Sequence, residues 1–436
     1  MKSKNAVYVN IIKALALTVG VLGILYLIVS NTSRFQGSGN PTPTATPTQT
    51  AESPAPTDTP TPTPSPTPAA TPTPTPTATP NANGDSKSTR TPDPVKALYL
   101  NSTSVRSKLD HYIELANKTE INAYVIDIKT DDGRITYDSE LESVNSANGD
   151  TPGFDIREVT KKLHDNGILV IARMVTFKDS TITKTRPELA IKTESGDVFK
   201  QKDSGGNYSM WLDATNKNAW EYIGDIAEEA IAFGFDEIQF DYIRFPETSL
   251  YNYEINLEEG KERHDAIEGF VRYVRNRLPK DTLLTADVFG MPLIASKDYG
   301  QIGQTLETIG GSLDYICPMI YPSHFANNAK SGAMSNGVGQ AINGITFTKP
   351  DLDPYKVVYN TLIVGKSRVD KMEDYELNMR PYLQGFTASY LPSGYYQTYG
   401  AEAYRQQIQA VYDAGYSEWI FWNSRNDYAE SAFKAE

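Results

Sequence analysis

Short apolar runs recur along the chain from residue 94 onward and are separated by polar and helix-forming segments. The runs are apolar on both faces of a strand, which is typical of parallel strands buried in an α/β domain. Eight runs are predicted as strands, at residues 96–100, 123–129, 169–175, 237–245, 283–289, 314–321, 382–386 and 418–423. Eight parallel strands are the number that closes a barrel.

The segments between these runs have apolar residues at helical spacing. Helices are predicted at residues 105–118, 156–166, 219–233, 264–278 and 402–414. Several of them end in a glycine turn that leads into the next strand, as at Gly167, Gly234 and Gly415. The alternation predicts an α/β fold, a TIM (β/α)8 barrel that occupies residues 94–436.

Three long segments follow the second, third and sixth predicted strands, at residues 130–153, 177–213 and 322–353. Parallel barrels keep their substrate clefts at the carboxyl ends of the strands, under such connections. We therefore expect these three segments to be loops over the face that carries the site.

The amino-terminal part of the chain is not globular in composition. Residues 14–30 form a nearly unbroken apolar run behind a basic segment, residues 1–13, that carries Lys2, Lys4 and Lys13. This charge pattern places the basic side in the cytoplasm. Because no small-residue cleavage site follows, we expect an uncleaved single-pass membrane anchor with the barrel outside the cytoplasm; the alternative is a signal peptide that is cleaved to release a secreted protein.

Residues 31–93 contain a Thr-Pro repeat that lacks the apolar residues needed for a core. Prolines favour extended polyproline II structure in such segments. We expect a disordered Thr/Pro-rich linker that holds the barrel away from the membrane.

Charge and cysteine content narrow the function. The net charge of −13, with no basic stripe after the linker, argues against a nucleic-acid partner. Cys317 is the single cysteine, which excludes a disulfide framework and a thiolate metal cluster. We expect a monomer with no cofactor.

The segment Gly234 to Pro246 carries the strongest functional signal. It reads GFDEIQFDYIRFP, so β-forming residues enclose Asp241, Tyr242 and Arg244. Buried charge is costly unless it is paired or used. The proline cannot continue a sheet, so these polar residues fall at the carboxyl end of the fourth strand.

Polar and aromatic residues end the other predicted strands as well. The full set of candidate substrate-site residues is Asp127, Lys129, Arg173, Asp241, Tyr242, Arg244, Asp287, Tyr321, His324, Trp422 and Asn423. In a barrel these positions form one ring at the open end. Any single member has an alternative role as a buried ion pair, but a ring on one face is typical of a site.

Two carboxyl groups at one rim are the minimum requirement of a glycosidase. Asp241 and Asp287 are the best pair, because they end adjacent strands. Arg244 and Tyr242 would keep Asp241 ionised as the nucleophile or base, and the apolar neighbours of Asp287 would raise its pKa and suit a proton donor. The separation of the two groups would decide between retention and inversion.

Aromatic and cationic residues complete the expected cleft. Trp422 would stack on a sugar ring, with Tyr321 as an opposite wall. Lys129 and Arg173 would bind hydroxyls or an anionic substituent, or would instead neutralise Asp127 structurally. The four histidines are too scattered for a metal-ligand set, so no metal centre is expected.

Motifs of other enzyme classes are absent from the sequence. It has no G-x-S-x-G elbow, phosphate-binding P-loop or strand-linked G-x-G-x-x-G. Ordinary serine hydrolases, nucleotide hydrolases and dinucleotide enzymes are thereby disfavoured.

Three segments together resemble a known family. FDEIQFDYIRFP at the fourth strand, YVIDIKTDDGRITYDS at residues 124–139 and ADVFG at residues 286–290 resemble an uncharacterised bacterial family of glycosyl hydrolase domains, over about residues 95–430. The resemblance implies a TIM barrel distantly similar to the alpha-amylase and alpha-galactosidase superfamilies. It also implies a nucleophile at Asp241 and an acid at Asp287, although amylases carry Glu at the second position.

The sequence thus predicts an anchored glycoside hydrolase that acts on a cell-wall or extracellular polysaccharide. The alternative is a catalytically inactive barrel that binds glycan in envelope or spore assembly, because one fold hosts many functions. A metal-dependent polysaccharide deacetylase is a third reading and would need a His/Asp ligand set.

Overall fold

The computed structural model describes residues 94–151, 153–202, 206–247, 253–325, 340–373 and 375–435. The predicted basic segment 1–13, the anchor 14–30 and the linker 31–93 lie outside these ranges. Among the residues described, no helix is both long and apolar enough to cross a membrane.

Eight parallel strands close into a barrel, which confirms the predicted TIM-barrel architecture. Each strand pairs with its neighbours in chain order, and the eighth pairs with the first. The strands are β1 Lys96–Leu100, β2 Ala123–Lys129, β3 Leu169–Val175, β4 Glu237–Asp241, β5 Leu283–Phe289, β6 Tyr315–Ile320, β7 Tyr382–Gln384 and β8 Trp419–Trp422. We call the open end at the carboxyl ends of the strands the mouth.

Four strands, β1, β2, β3 and β5, have the predicted bounds, and the other four are shorter than predicted. The prediction for β4 was wrong at its end: the strand stops at Asp241 rather than at residue 245, because Tyr242 has a φ of 49°. That left-handed conformation turns the chain out of the sheet. The polar cluster after β4 is therefore a turn at the mouth.

The seventh position of the barrel is split. A two-residue strand, Asn378–Met379, pairs with the start of β6, and β7 itself pairs with the end of β6. Arg380 and Pro381 separate the two pieces. Arg380 is fully buried and bonds Glu237 across the barrel interior, so an ion pair interrupts the apolar pattern here.

Within the part of the chain that the structure describes, six helices of nine or more residues pack around the barrel. They are α1 Ser102–Ala116, α2 Ile156–His164, α3 Lys217–Ala232, α4 Arg263–Arg277, α5 Pro354–Val369 and α6 Ala401–Asp413. Five of them match predicted helices, and α5 was not predicted. The glycines after α2, α3 and α6 have φ values of 71°, 96° and 88°, as glycine at a helix end allows.

Shorter elements occupy the connections. Helical turns are Glu142–Asn145, Ile182–Thr185, Met291–Ile294, Pro187–Leu189, Pro322–His324, Pro350–Leu352 and Glu430–Ala432. Hairpins pair Lys200–Lys202 with Tyr208–Met210 and Gln340–Ile342 with Ile345–Phe347. The segments predicted as long loops contain some of these elements. The connection from β5 to β6 is also long and contains only the short helix Met291–Ile294.

The barrel interior is polar in layers below the mouth. The alternate residues of β4 are all buried: Glu237 bonds Arg380, Gln239 bonds Tyr382, and Asp241 lies at the top. Gln239 also bonds the thiol of Cys317. Side chains two residues apart on a strand point to the same side, so Glu237, Gln239 and Asp241 all face the barrel interior. Glu237 and Gln239 have hydrogen-bond partners in the lower layers, and Asp241 lies above them at the mouth.

Candidate active site

Asp241 is fixed by the turn that ends β4. Its backbone carbonyl accepts the amide of Thr176 at 2.7 Å, which holds the strand end against β3. Its Oδ1 accepts the amide of Tyr242 at 2.6 Å. A left-handed residue directly after the strand therefore aims a backbone N–H at the carboxylate and fixes its orientation.

Arg173 is the centre of the charge cluster at the mouth. Its Nε lies 3.1 Å from Asp241 Oδ2, and its Nη2 contacts the same oxygen. Its Nη1 bonds Asp127 Oδ1, and the hydroxyl of Tyr99 donates to the other oxygen of Asp127. Both Asp127 oxygens are thus occupied by protein groups, so Asp127 holds Arg173 in place.

Asp287 lies near the same nitrogen of this guanidinium. Its Oδ2 is 3.8 Å from Arg173 Nε, and its side chain is 2% exposed. Its Oδ1 is buried with no hydrogen-bond partner among the described residues. Burial, followed by the charge of Asp241, raises the pKa of Asp287 well above its usual range. Burial therefore favours the protonated form of Asp287.

The shared guanidinium limits the distance between the two carboxyl groups. Arg173 Nε lies 3.1 Å from an oxygen of Asp241 and 3.8 Å from an oxygen of Asp287. These two oxygens are therefore no more than about 7 Å apart, a limit that includes the roughly 5–5.5 Å of retaining glycosidases and the lower end of the roughly 6.5–9.5 Å of inverting ones. The structure brings Asp241 and Asp287 together at the mouth.

Asp131 is a member of the cluster that the sequence did not single out. It lies 3.3 Å from Lys178 Nζ, 3.3 Å from the Tyr242 hydroxyl and 3.8 Å from Arg173. Burial acts to raise the pKa of Asp131, but Lys178 and Arg173 outweigh it and lower the pKa. Gly133, with a φ of 90°, makes the turn that follows Asp131.

Lys129 does not line the mouth. Its side chain is fully buried, and its Nζ lies 2.8 Å from Asp179 Oδ2 and 2.8 Å from the carbonyl of Val175. This placement corresponds to the structural alternative, with Asp179 rather than Asp127 as the partner. Gly133 packs on Asp179 so closely that a Cβ there would lie 2.0 Å from Oδ1. The ion pair thus fastens the loops after β2 and β3 together.

Asn423 is also engaged by the protein. Its amide donates to the carbonyls of Gly385 at 2.6 Å and Asp427 at 2.7 Å, and its carbonyl accepts the amide of Arg425 at 2.9 Å. These three bonds shape the loop after β8. Asn423 therefore supports Trp422 rather than offering a free amide to a ligand.

Aromatic side chains form one side of the mouth. Trp422 is partly exposed and stacks against Tyr321, with ring centroids 5.9 Å apart and planes at 28°. Phe386 meets Trp422 edge-on at 5.5 Å, and Tyr99 lies 6.1 Å from it. The expectation that Tyr321 and Trp422 face each other across a sugar was wrong, because the two rings touch and form a single wall.

His324 borders this wall. Its ring lies 5.1 Å from that of Tyr321, and its Nε2 is buried without a partner among the residues described. Burial lowers the pKa of His324 to about 4, so the ring is neutral at pH 7. The other histidines lie elsewhere: His111 bonds Glu430 and His164 bonds Asp236. No group of three or more possible metal ligands was found within the described ranges.

Arg244 lies on the opposite side, among aromatic rings. Its guanidinium carbon is 4.9 Å from the ring centroid of Trp211, 5.2 Å from that of Tyr242 and 5.0 Å from that of Phe289. Its Nη1 donates to the carbonyl of Phe245 at 3.0 Å. Tyr242 follows Asp241 and Phe289 ends the strand that carries Asp287, so this cage lies at the same end of the barrel as the two carboxyl groups. Arg173 and not Arg244 bonds Asp241, so the expectation that Arg244 keeps Asp241 ionised was wrong.

Comparisons with known proteins agree with this architecture. A family model described as "Putative glycosyl hydrolase domain" matches residues 97–428. No curated protein matches the chain in sequence. A hypothetical protein from Ruminiclostridium thermocellum is 44% identical, over 44% of this chain and 97% of its own, with a TM-score of 0.40.

Two glycoside hydrolase structures are similar at low identity. The glycoside hydrolase domain of PgaB (BpsB) from Bordetella bronchiseptica is 11% identical over 78% of this chain and 99% of its own, with a TM-score of 0.53. The α-galactosidase TtGalA from Thermus thermophilus is 11% identical over 78% of this chain and 60% of its own, with a TM-score of 0.47. The first of these likenesses supports the barrel fold.

Proposed function

The chain belongs to the family described as "Putative glycosyl hydrolase domain", and we propose that it hydrolyses glycosidic bonds with Asp241 and Asp287 as its two carboxyl groups. The observation that carries the proposal is their shared contact with Arg173. One guanidinium holds the two groups within reach of a single acetal, and burial raises the pKa of Asp287, as a proton donor needs.

Asp241 takes the role of the charged carboxylate. Arg173 and the amide of Tyr242 both stabilise its ionised form by charge-assisted hydrogen bonds. In the reaction it attacks the anomeric carbon, or removes a proton from the water that attacks it. The positive charge that develops on the sugar ring strengthens its interaction with Asp241 in the transition state.

Asp287 takes the role of the general acid. Burial raises its pKa well above the usual range and so favours the protonated form, which a proton donor to the departing glycosidic oxygen requires. The lack of a partner at Oδ1 leaves one oxygen free of competing bonds within the described part of the chain. Asp287 would lose its proton as the bond breaks, next to the positive charge of Arg173.

A polysaccharide of the cell wall or the extracellular space is the proposed substrate. The apolar run at residues 14–30 would anchor the chain with the barrel outside the cytoplasm, and the Thr/Pro-rich residues 31–93 would let it reach the wall. The aromatic wall of Tyr321, Phe386 and Trp422 supplies a surface on which a sugar ring stacks.

Reducing-end release by the full-length chain tests the proposal. Purified Gram-positive cell walls and soluble bacterial exopolysaccharides are incubated with the protein and with Asp241→Asn, and wall binding is followed by co-sedimentation. We expect release by the unmodified chain and its loss in Asp241→Asn with binding retained. Binding without release by the unmodified chain would contradict the proposal and favour an inert glycan-binding barrel.

Asp314→Asn is the matched control. Asp314 is also buried and pairs with an arginine, Arg275, but it precedes β6 at the opposite end of the barrel from the mouth. Loss of a buried ion pair alone would lower activity in both variants through reduced stability. Loss confined to Asp241→Asn would assign the effect to the mouth.

A further inference from the structure

Arg244 is a buried cation that the proposed reaction does not use. Only 4% of its surface is exposed. Within the described ranges no carboxylate pairs with it, and its one hydrogen bond runs from Nη1 to the carbonyl of Phe245. Its Nε and Nη2 have no acceptor there. Buried charges in proteins are normally paired, so this guanidinium lacks the partner that its burial requires.

The neighbouring carboxylates are already engaged by other cations. Asp127 and Asp241 both bond Arg173. Asp131 pairs with Lys178. Burial acts to lower the pKa of Lys178, and so does the charge of Arg244, but the charges of Tyr242 and Asp131 outweigh them and raise the pKa. Three carboxylates thus share two cations at the described part of the mouth, and Arg244 is a third cation there that bonds none of them.

The aromatic rings around Arg244 compensate only part of its burial. A cation over an aromatic face gains about 0.5–2 kcal/mol, whereas removal of an ion from water costs several kcal/mol. The rings also shape access: Trp211 is buried, but Tyr242 and Phe289 are partly exposed. The cage is closed on the protein side and opens toward the mouth.

We propose that Arg244 binds an oxyanion carried by the substrate, so that the protein acts on an anionic glycan bearing a carboxylate or a phosphate. This inference rests on the proposed function, since it assigns the substrate class of the same site. The planar guanidinium suits both oxyanions, because two of its N–H groups can bond two oxygens side by side.

The position of Arg244 limits where the oxyanion lies. Its cage includes Tyr242, the residue after Asp241, and Phe289, which is two residues after Asp287. A group bound there belongs to the sugar at the scissile bond or to the next one. Lys178, whose Nζ lies 4.7 Å from the centroid of the same Tyr242 ring, is paired with Asp131, so Arg244 is the cation on this side that bonds no carboxylate among the described residues. The aromatic wall of Trp422 lies on the other side and would contact the uncharged faces.

Wall binding by an inactive full-length chain tests the inference. Asp287→Asn is the background, because it removes the proposed proton donor and so prevents cleavage of the wall during the binding measurement. The probes are purified Gram-positive walls in three forms: untreated, stripped of phosphodiester-linked polymers with hydrofluoric acid, and stripped with their carboxylates then amidated. The background protein is compared with Arg244→Leu and Arg244→Lys in that background.

We expect Arg244→Leu to weaken binding to untreated walls about 10-fold or more. Its binding should then equal that of the background protein to walls from which the recognised anion has been removed. Arg244→Lys, which keeps the charge without the planar fork, falls between. A loss on acid treatment identifies phosphate, and a loss only on amidation identifies carboxylate. Arg157→Leu is the control, because Arg157 also stacks on an aromatic ring, that of Phe233, but outside the mouth.

Equal binding of the background to all three wall forms would overturn the inference, as would unchanged binding by Arg244→Leu or no binding to any form. The wall series needs no variant at Arg244, so a misfolded Arg244→Leu leaves the test intact. Reducing-end release by the unmodified chain separates the two proposals. Charge-dependent binding without release would contradict hydrolysis but not the anionic substrate. Release from amidated walls at the normal rate would contradict the anionic substrate but not hydrolysis.

Discussion

Asp287 Oδ2 lies 3.8 Å from Arg173 Nε, while Asp287 Oδ1 is buried without a hydrogen-bond partner among the described residues. The guanidinium is near enough to orient the carboxyl group. It does not reverse the effect of burial, which raises the pKa of Asp287. Asp241 is hydrogen-bonded directly to Arg173, whereas Asp287 is buried and only near it, so the two carboxyl groups should have different roles in the reaction.

Replacement of the proposed acid should have an effect that depends on the leaving group. Asp287→Asn removes the proton donor, so cleavage of a natural glycosidic bond should slow about 10²–10⁴-fold. A 2,4-dinitrophenyl glycoside of the sugar that the chain cleaves has a leaving group that needs no protonation, and its hydrolysis should slow far less. Steady-state kinetics on the two substrates provides the measurement. Equal losses would remove Asp287 from the acid role.

The pH dependence of kcat/KM should show an alkaline limb that belongs to Asp287. Its pKa in the folded protein is raised above the usual 3.8, so the acid form persists above that pH and is lost only as the pH rises through the folded value. Activity should therefore hold at neutral pH and fall on the alkaline side. The limb should be absent from the residual activity of Asp287→Asn; a limb that persists in this variant would belong to another group.

The buried pair of Lys129 and Asp179 should govern stability and not affinity. Lys129→Met leaves an unpaired carboxylate at a fully buried site and should lower the free energy of unfolding by about 3–5 kcal/mol. The double variant Lys129→Met, Asp179→Leu removes both charges and should recover part of the loss. Thermal unfolding and KM are the two measurements. A raised KM at unchanged stability would return Lys129 to the substrate site.

The two tryptophans of β8 should differ in effect. Trp422 is partly exposed at the mouth, whereas Trp419 is fully buried. Trp422→Ala removes a stacking surface and should raise KM about 10-fold with a small change in kcat. Trp419→Ala should instead lower the melting temperature. A Trp422→Ala protein with normal KM would exclude this ring from sugar binding.

Much of the fold could be predicted from the sequence because barrel strands are buried on both faces and therefore form continuous apolar runs. The prediction was wrong where local chemistry overrides that pattern. Tyr242 ends β4 early through its left-handed backbone, and Arg380 with Pro381 splits the seventh strand position. The helix α5, which starts at Pro354, was not recognised beside a segment assigned to a loop.

The candidate site could be predicted only in part. Residues at strand ends were placed at the mouth because parallel strands all end there. Their pairing depends on three-dimensional contacts between distant segments. Lys129 pairs with Asp179 and not with Asp127. Asp131 lies in the loop after β2 and pairs with Lys178, which lies in the loop after β3. Tyr99, on β1, has no sequence feature that predicts its hydrogen bond to Asp127.

The kinetics of the two single variants and the double variant test the central claim most directly. Asp241→Asn, Asp287→Asn and the variant with both changes are compared for reducing-end release from the same wall glycan, with Asp314→Asn as the folded control. Groups that act as one unit are not additive, so the double variant should lose about as much activity as the worse single variant, at least roughly 10³-fold. Near-normal release by either single variant, or a double-variant loss equal to the product of the two single losses, would contradict the account.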